Sequence, residues 1–125
     1  MLRTVVLLVS LFCFQCAQAA CDMPAARKWL GSIGLELGWR PEVGSYIADT
    51  SGFKVKELTQ KIDAAAKKYG WVSVGKWKIE GALVVNAEKT FSYKGVKHRL
   101  GILDATKAGY TGPFLAIYDG KGDGC

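Results

Sequence analysis

The feature that most constrains the fold of this chain is a single long amphipathic helical pattern between Lys54 and Gly70. Its apolar residues recur at intervals of three and four, which is the spacing of one helical stripe. These apolar residues are Val55, Leu58, Ile62, Ala65, Ala66 and Tyr69. The opposite face is basic and carries Lys54, Lys56, Lys61, Lys67 and Lys68, which we interpret as a solvated surface. Gly70 ends the helix, because glycine accepts a positive φ at little cost.

Short strand patterns separated by glycine-rich turns fill most of the remaining chain. Ile33, Leu35, Leu37 and Trp39 alternate with glycine and glutamate, and this period of two predicts a strand. The next strand, Ser45–Asp49, returns as its hairpin partner. Further strands are predicted at Trp71–Val74, Lys76–Ile79, Ala82–Asn86, Phe91–Lys94, Val96–Ile102 and Phe114–Tyr118.

A short helix is predicted before the first strand, with Asp22 as its N-cap, Pro24 in its first turn and Gly31 at its end. The order of the elements predicts an α+β fold. We expect a single-domain antiparallel sheet covered by one long and one short helix.

The first 19 residues have the features of a signal peptide. Arg3 gives a positive start, Val5–Phe14 is apolar, and Ala17–Ala19 has the form of a signal-peptidase site. We therefore expect cleavage before Ala20 and a secreted, extracellular domain over residues 20–125. A lipid anchor at Cys21 is the less favoured alternative, because Gln18 does not fit a lipobox. The apolar run is short for a membrane span and no second apolar span follows it in the sequence, so no transmembrane segment is expected in the mature chain.

The mature chain retains two cysteines, Cys21 and Cys125, at its two ends. In an oxidising compartment these two residues are predicted to form a disulfide. Closing a loop of about 100 residues contributes about 4–5 kcal/mol in the chain-entropy model. Two cysteines and one histidine without close spacing do not make a ligand set, so we expect no metal site.

The charge of the mature chain favours acidic partners. Removing Arg3 with the leader lowers 17 lysines and arginines to 16 against 11 acidic residues, a net charge of +5. Such a charge suits an acidic protein surface, a polyanion or an anionic lipid. No RNA-binding or DNA-binding signature accompanies it, so nucleic acid is not an expected partner.

No motif of the sequence predicts an enzyme or a cofactor. The one histidine, His98, lies in an alternating strand, where packing or surface exposure is the usual role of a lone histidine. No nucleophile elbow, phosphate loop or paired metal-ligand motif is present in the sequence. Glu80 and His98 form a ribonuclease-like acid and base only if the fold brings them together, which is the least favoured hypothesis.

The strongest binding candidate is the basic cluster of Lys94, Lys97, His98 and Arg99, in which Lys94, Lys97 and Arg99 are the predicted partner-binding residues. Lys97 and Arg99 share one strand face, and Lys94 is close in sequence. Such a cluster binds carboxylate or phosphate groups through charge-assisted hydrogen bonds. The alternative interpretation is an ordinary solvated strand face. The four tryptophans either pack over the sheet or expose a pair for a proline-rich ligand.

Three segments resemble parts of the profilin family. GSYIADTSGF followed by KVKEL is similar to the strand of that family that leads through Ser-x-Gly-Phe into a helix. KWKIEGALVVNAEKTFSYKG is similar to its hairpin, and FLAIYDGK to its last central strand. The resemblance covers approximately residues 33–121. It implies a central antiparallel sheet with helices against it, no enzymatic activity, and binding to monomeric actin, proline-rich ligands and phosphoinositides.

The resemblance transfers unevenly to individual residues. Ile47 stands where profilins have a tryptophan of the proline-rich site, and Trp29 corresponds to an aromatic residue of their first helix. Lys94, Lys97 and Arg99 lie near the region whose basic residues contact actin in the family. The chain lacks the family's C-terminal helix, and a signal peptide is foreign to cytosolic profilins.

We therefore expect a secreted, non-enzymatic binding protein with a profilin-like domain. Its expected partner is an actin-like or other acidic protein surface. The alternative function is a small cationic effector or inhibitor that acts on a microbial surface or on a secreted enzyme.

Overall fold

The computed structural model describes residues 22–109 and 112–118, which form a six-stranded antiparallel sheet with two helices. The helices are α1 (Met23–Gly31) and α2 (Val55–Lys68), and a 3-10 turn covers Thr106–Ala108. The strands are β1 (Gly38–Arg40), β2 (Ser45–Asp49), β3 (Trp71–Glu80), β4 (Val85–Tyr93), β5 (Val96–Asp104) and β6 (Phe114–Ile117). Their order in the sheet is β1-β2-β6-β5-β4-β3, with antiparallel pairing throughout. This confirms the α+β class with one long and one short helix.

Both helices lie on the same face of the sheet, which we call the inner face. Trp29 of α1 packs against Phe91 of β4, with ring centroids 4.8 Å apart. Asp63 of α2 accepts a hydrogen bond from Lys89, two residues earlier on β4, at 2.9 Å. Side chains two residues apart on a strand share a face, so α1 and α2 cover the same side. The opposite side, which we call the outer face, has no described helix over it.

An aromatic cluster forms the centre of the core between the helices and the sheet. Trp71 stacks on Trp29 at 4.7 Å and on Tyr93 at 4.8 Å between ring centroids. The Trp29 indole N–H donates to the carbonyl of Ile62 at 3.1 Å, which ties α1 to α2. Trp29 and Trp71 are buried, and Trp39 and Trp77 are half-buried. The four tryptophans therefore pack against the core, and no exposed pair is available as a platform for a proline-rich ligand.

The long helix agrees with its prediction apart from its last residue. Four residues of the stripe are buried, namely Leu58, Ile62, Ala65 and Ala66. Tyr69 follows the helix as its C-cap and is exposed. Gly70 has a φ of 79°, which is the conformation expected of a glycine that ends a helix.

The predicted strand from Ile33 to Trp39 is wrong over most of its length, because β1 begins only at Gly38. The preceding residues form a turn that continues from α1, in which Leu35 N–H donates to the carbonyl of Leu30 at 3.0 Å. Leu35 and Leu37 are nevertheless buried. The alternation therefore reflects burial of the leucines and not strand pairing.

The predicted pieces Trp71–Val74 and Lys76–Ile79 are one continuous strand, β3, ten residues long. Its pairing with β4 shifts register between Val74 and Lys78, so the residues between them form a bulge. Gly75 lies in this bulge with a φ of 80°. Gly75, which separates the two predicted strands in the sequence, therefore marks a bulge and not the end of a strand.

Several predictions concern residues that lie outside the described part of the chain. The signal peptide over residues 1–19 and the predicted pair Cys21 and Cys125 are all in this category. Neither α1 nor α2 is long and apolar enough to cross a membrane.

Candidate binding surface

The outer face carries two neighbouring cross-strand rows of the same composition. Each row runs from a valine on β3 through a hydroxyl residue on β4 to a cation on β5. The rows, which we call the basic rows, are Val72, Ser92 and Lys97, and Val74, Thr90 and Arg99. Directly opposite side chains of an antiparallel sheet lie about 4.5–5.5 Å apart between Cβ atoms, so each row is a continuous contact surface.

Lys97 and Arg99 are the central charges of this surface. They are two residues apart on β5, so both point to the outer face, and both are exposed. Their backbone positions are about 6.6–6.8 Å apart along the strand. Within residues 22–109 and 112–118, no carboxylate forms an ion pair with either of them. The pair can therefore meet acidic groups of a partner without first breaking an internal salt bridge.

Lys94 occupies a different position from Lys97 and Arg99. It lies with Gly95 in the tight turn between β4 and β5, where Lys94 has a φ of 49° and Gly95 a φ of 82°. Two successive positive φ values are typical of a type I′ hairpin turn. The ammonium group of Lys94 lies 5.4 Å from the ring centroid of Tyr93, an inner-face residue. The fold thus brings Lys97 and Arg99 together and sets Lys94 at the end of the sheet.

Tyr118 is an additional residue of this surface that the sequence did not indicate. The Arg99 guanidinium lies 5.1 Å from the ring centroid of Tyr118, a cation–π distance. The backbone N–H of Tyr118 donates to the carbonyl of Arg99 at 2.8 Å. The sequence holds no signal for this contact, because it depends on the pairing of β5 with β6.

The inner face contains a buried polar pair, His98 and Asp22, so His98 does not join the basic cluster that the sequence predicted. The Nε2 atom of His98 lies 2.8 Å from a carboxylate oxygen of Asp22, and the His98 ring packs edge-on against Trp71. Asp22 stands at the N-cap position of α1, but its side chain makes no capping hydrogen bond. The predicted N-cap position is therefore confirmed, but the carboxylate joins the start of α1 to β5 and does not cap the helix.

His98 and Glu80 do not lie together, contrary to what the nuclease hypothesis requires. On β4, His98 is opposite Phe91, whereas Glu80 is opposite Asn86, five residues away. Side chains of residues an odd number apart point to opposite faces of a strand. The two groups are thus separated both along the sheet and by its thickness, and they do not form an acid–base pair.

A second polar cluster, around Lys89, joins α2 to the sheet. The Lys89 ammonium is buried and donates to Asp63 at 2.9 Å, and Trp77 donates to the same carboxylate oxygen at 3.0 Å. The ammonium also lies 5.0 Å from the ring centroid of Phe91. All these groups are satisfied within the fold, so the cluster fixes α2 on the sheet and leaves little of Lys89 available to a ligand.

Two aspartates bind the residue two positions later in the same way. Hydrogen bonds from the hydroxyl and the N–H of Ser51 hold the pKa of Asp49 below its ordinary value. Hydrogen bonds from the hydroxyl and the N–H of Thr106 do the same to the pKa of Asp104. These contacts are local turns at strand ends.

Within the described part of the chain, no group of three histidine, cysteine or acidic residues is arranged to hold a metal ion.

Comparison with known proteins adds no assignment to this geometry. No protein-family model, no characterised protein and no solved structure matches the chain.

Proposed function

We propose that this protein is a non-enzymatic binding protein that uses the outer face of its sheet to bind an acidic protein surface, with monomeric actin as the first partner to test. The observation that carries the proposal is the adjacent pair Lys97 and Arg99. Both are exposed, and neither is neutralised by a described carboxylate. A further support is the location of this pair on the face that neither described helix covers.

The chemistry of the basic rows suits an acidic surface with apolar margins. Arg99 offers a planar fork of N–H donors for a carboxylate, and Lys97 adds a second positive charge. Val72 and Val74, at the β3 end of the rows, are 61% and 36% exposed. Charges at an interface mainly raise the association rate and select the partner, whereas buried apolar groups contribute affinity. The basic rows offer both kinds of group to a partner.

A profilin-like domain remains part of this proposal. The hairpin, long helix and antiparallel strands follow one another in the order that the resemblance implies, and the helices pack against the sheet. Ile47 lies on the outer face, opposite Gly38 of β1 and Ala116 of β6. An aliphatic residue there gives no aromatic surface to a proline-rich ligand, so actin-like binding is the part of the family's function that we propose. Secretion belongs to the same proposal and rests on the leader sequence.

Retention of the protein on immobilised monomeric actin tests this proposal. The test variant reverses the charges of Lys94, Lys97 and Arg99 to glutamate. The control variant makes the same change in total charge at exposed residues on the helical side of the molecule, namely Lys54, Lys56 and Lys67. We expect binding by the wild type and the control, and loss of binding by the test variant. No binding by the wild type, or equal binding by all three proteins, contradicts the proposal.

A cationic effector that acts on an anionic membrane surface is the second candidate, and one observation favours it. The turn between β3 and β4 exposes the aliphatic side chains of Leu83 and Val84, with Leu83 64% exposed, and Ile79 before the turn is also exposed. Exposed apolar clusters mark interaction sites, including membrane contacts. We expect this function to show salt-sensitive sedimentation with phosphatidylserine vesicles that Leu83→Asp abolishes. Sedimentation that Leu83→Asp leaves unchanged contradicts it.

A further inference from the structure

Gly101 is a buried residue on the outer face of β5, two positions after Arg99 of the basic rows. The side chain that lies over it is Tyr118. A Cβ atom added to Gly101 would lie 2.7 Å from Cε2 and 2.8 Å from Oη of Tyr118, which is closer than carbon atoms in proteins approach. The φ of Gly101 is outside the left-handed region, so its backbone conformation does not require glycine. A side chain at this position would instead displace the Tyr118 ring from its place over β5.

The ring that Gly101 admits also contacts Arg99. The guanidinium lies 5.1 Å from the ring centroid of Tyr118, and the two backbones are joined by the hydrogen bond between Tyr118 N–H and the Arg99 carbonyl. A guanidinium that stacks on an aromatic ring keeps its outward N–H groups available to a carboxylate. Tyr118 is 43% exposed, so part of the ring remains accessible beside the guanidinium.

We infer that Tyr118 belongs to the binding surface, that Gly101 is the positioning residue that holds its ring there, and that the surface therefore selects an acidic residue with an aliphatic neighbour. The carboxylate binds Arg99, and the aliphatic side chain packs on the exposed part of the Tyr118 ring. This inference rests on the proposed function, because it names the chemistry of the segment that the outer face binds.

Two fluorescently labelled octapeptides of equal charge test the inference by anisotropy. One alternates glutamate with valine and the other alternates glutamate with serine, so only the apolar contact differs between them. We expect the wild type to prefer the valine peptide about fivefold, because a partly buried valine side chain gains contact with the ring. Tyr118→Ala and Gly101→Ala should remove this preference and retain salt-dependent binding of both peptides. Reversal of Lys94, Lys97 and Arg99 should abolish binding of both.

Gly38→Ala is the matched control for Gly101→Ala. Gly38 lies in the same cross-strand row of the outer face, three strands from Gly101. Its φ is also outside the left-handed region, and an added Cβ would meet nothing within 4 Å. Gly38→Ala should keep the fivefold preference. A preference that survives in Gly101→Ala, with both peptides bound by the wild type, overturns this inference alone. No binding of either peptide by the wild type contradicts the proposed function and the inference together.

Discussion

The buried pair of His98 and Asp22 provides a stringent test of the fold. His98 is 2% exposed, its Nε2 atom lies 2.8 Å from the Asp22 carboxylate, and 76 positions of sequence separate the two residues. The contact therefore exists only when α1 is docked on β5. We predict that His98→Leu and Asp22→Ala each destabilise the protein strongly, because each leaves the other polar group buried without this partner.

The magnitude follows from the burial of both side chains. Removing one partner of a buried polar contact costs about 1–3 kcal/mol, and the cost is greater where the remaining group is charged. We expect each single variant to lose about 3 kcal/mol of unfolding free energy. For a domain of about 100 residues, this corresponds to a fall in Tm of about 12–24 °C. Because Asp22 makes no capping hydrogen bond, the loss in Asp22→Ala does not include a helix cap.

A double-mutant cycle measured by urea unfolding isolates the pair. The double variant should lose less stability than the sum of the single variants, by about 1–2 kcal/mol. Asp22→Asn keeps an oxygen acceptor for the imidazole, so it should lose less than Asp22→Ala. Single effects that add to within about 0.5 kcal/mol would refute a direct interaction between the two side chains.

Three further predictions concern the ends, the turns and the acid stability of the chain. Cys21 and Cys125 should form a disulfide. Asp22, which follows Cys21, and Tyr118 both form hydrogen bonds to residues of β5, and the seven residues after Tyr118 can span up to about 23 Å. Intact mass should rise by about 2 Da on reduction, and two free thiols in the native protein would rule the disulfide out. Gly81→Ala should lower the free energy of unfolding in urea by about 1–3 kcal/mol, because Gly81 has a φ of 90° and an added Cβ would clash with the backbone carbonyl of Val84. A loss within about 0.3 kcal/mol of zero would show that the turn between β3 and β4 is not as described. The lowered pKa of Asp49 contributes stability that is present above the ordinary value of 3.8 and is lost as the pH falls through the lower folded value. Ser51→Ala should therefore lower Tm more at pH 7 than at pH 2, and a uniform effect at both pH values would argue against this hydrogen bond as the cause.

Local periodicity predicted the parts of the fold that depend on neighbours in sequence. The stripe from Leu58 to Ala66 predicted α2, because a helix of this length must bury its one apolar face. The alternation of His98, Leu100 and Ile102 predicted β5 and its inner face correctly. The alternation around Leu35 failed because a turn can bury alternate residues without any strand partner.

The residues of the candidate surface divide in the same way. Lys97 and Arg99 share a face because they are two apart on one strand, which the sequence alone establishes. Tyr118 and Gly101 join them through the register of β5 with β6. The partner of His98 is 76 positions away. Contacts of this kind arise from strand order and helix docking, and neither follows from local pattern.

The most direct test of the binding surface is an NMR titration of ¹⁵N-labelled protein with the glutamate–valine octapeptide. The described helices and basic rows lie on opposite faces of the sheet, so the location of the shifts identifies the binding face without any mutation. We predict that the largest amide shifts occur at Thr90, Ser92, Lys97 and Arg99, and that they shrink as salt is added. Shifts concentrated on α1 and α2, with the basic rows unaffected, would contradict the proposal that the outer face binds acidic partners.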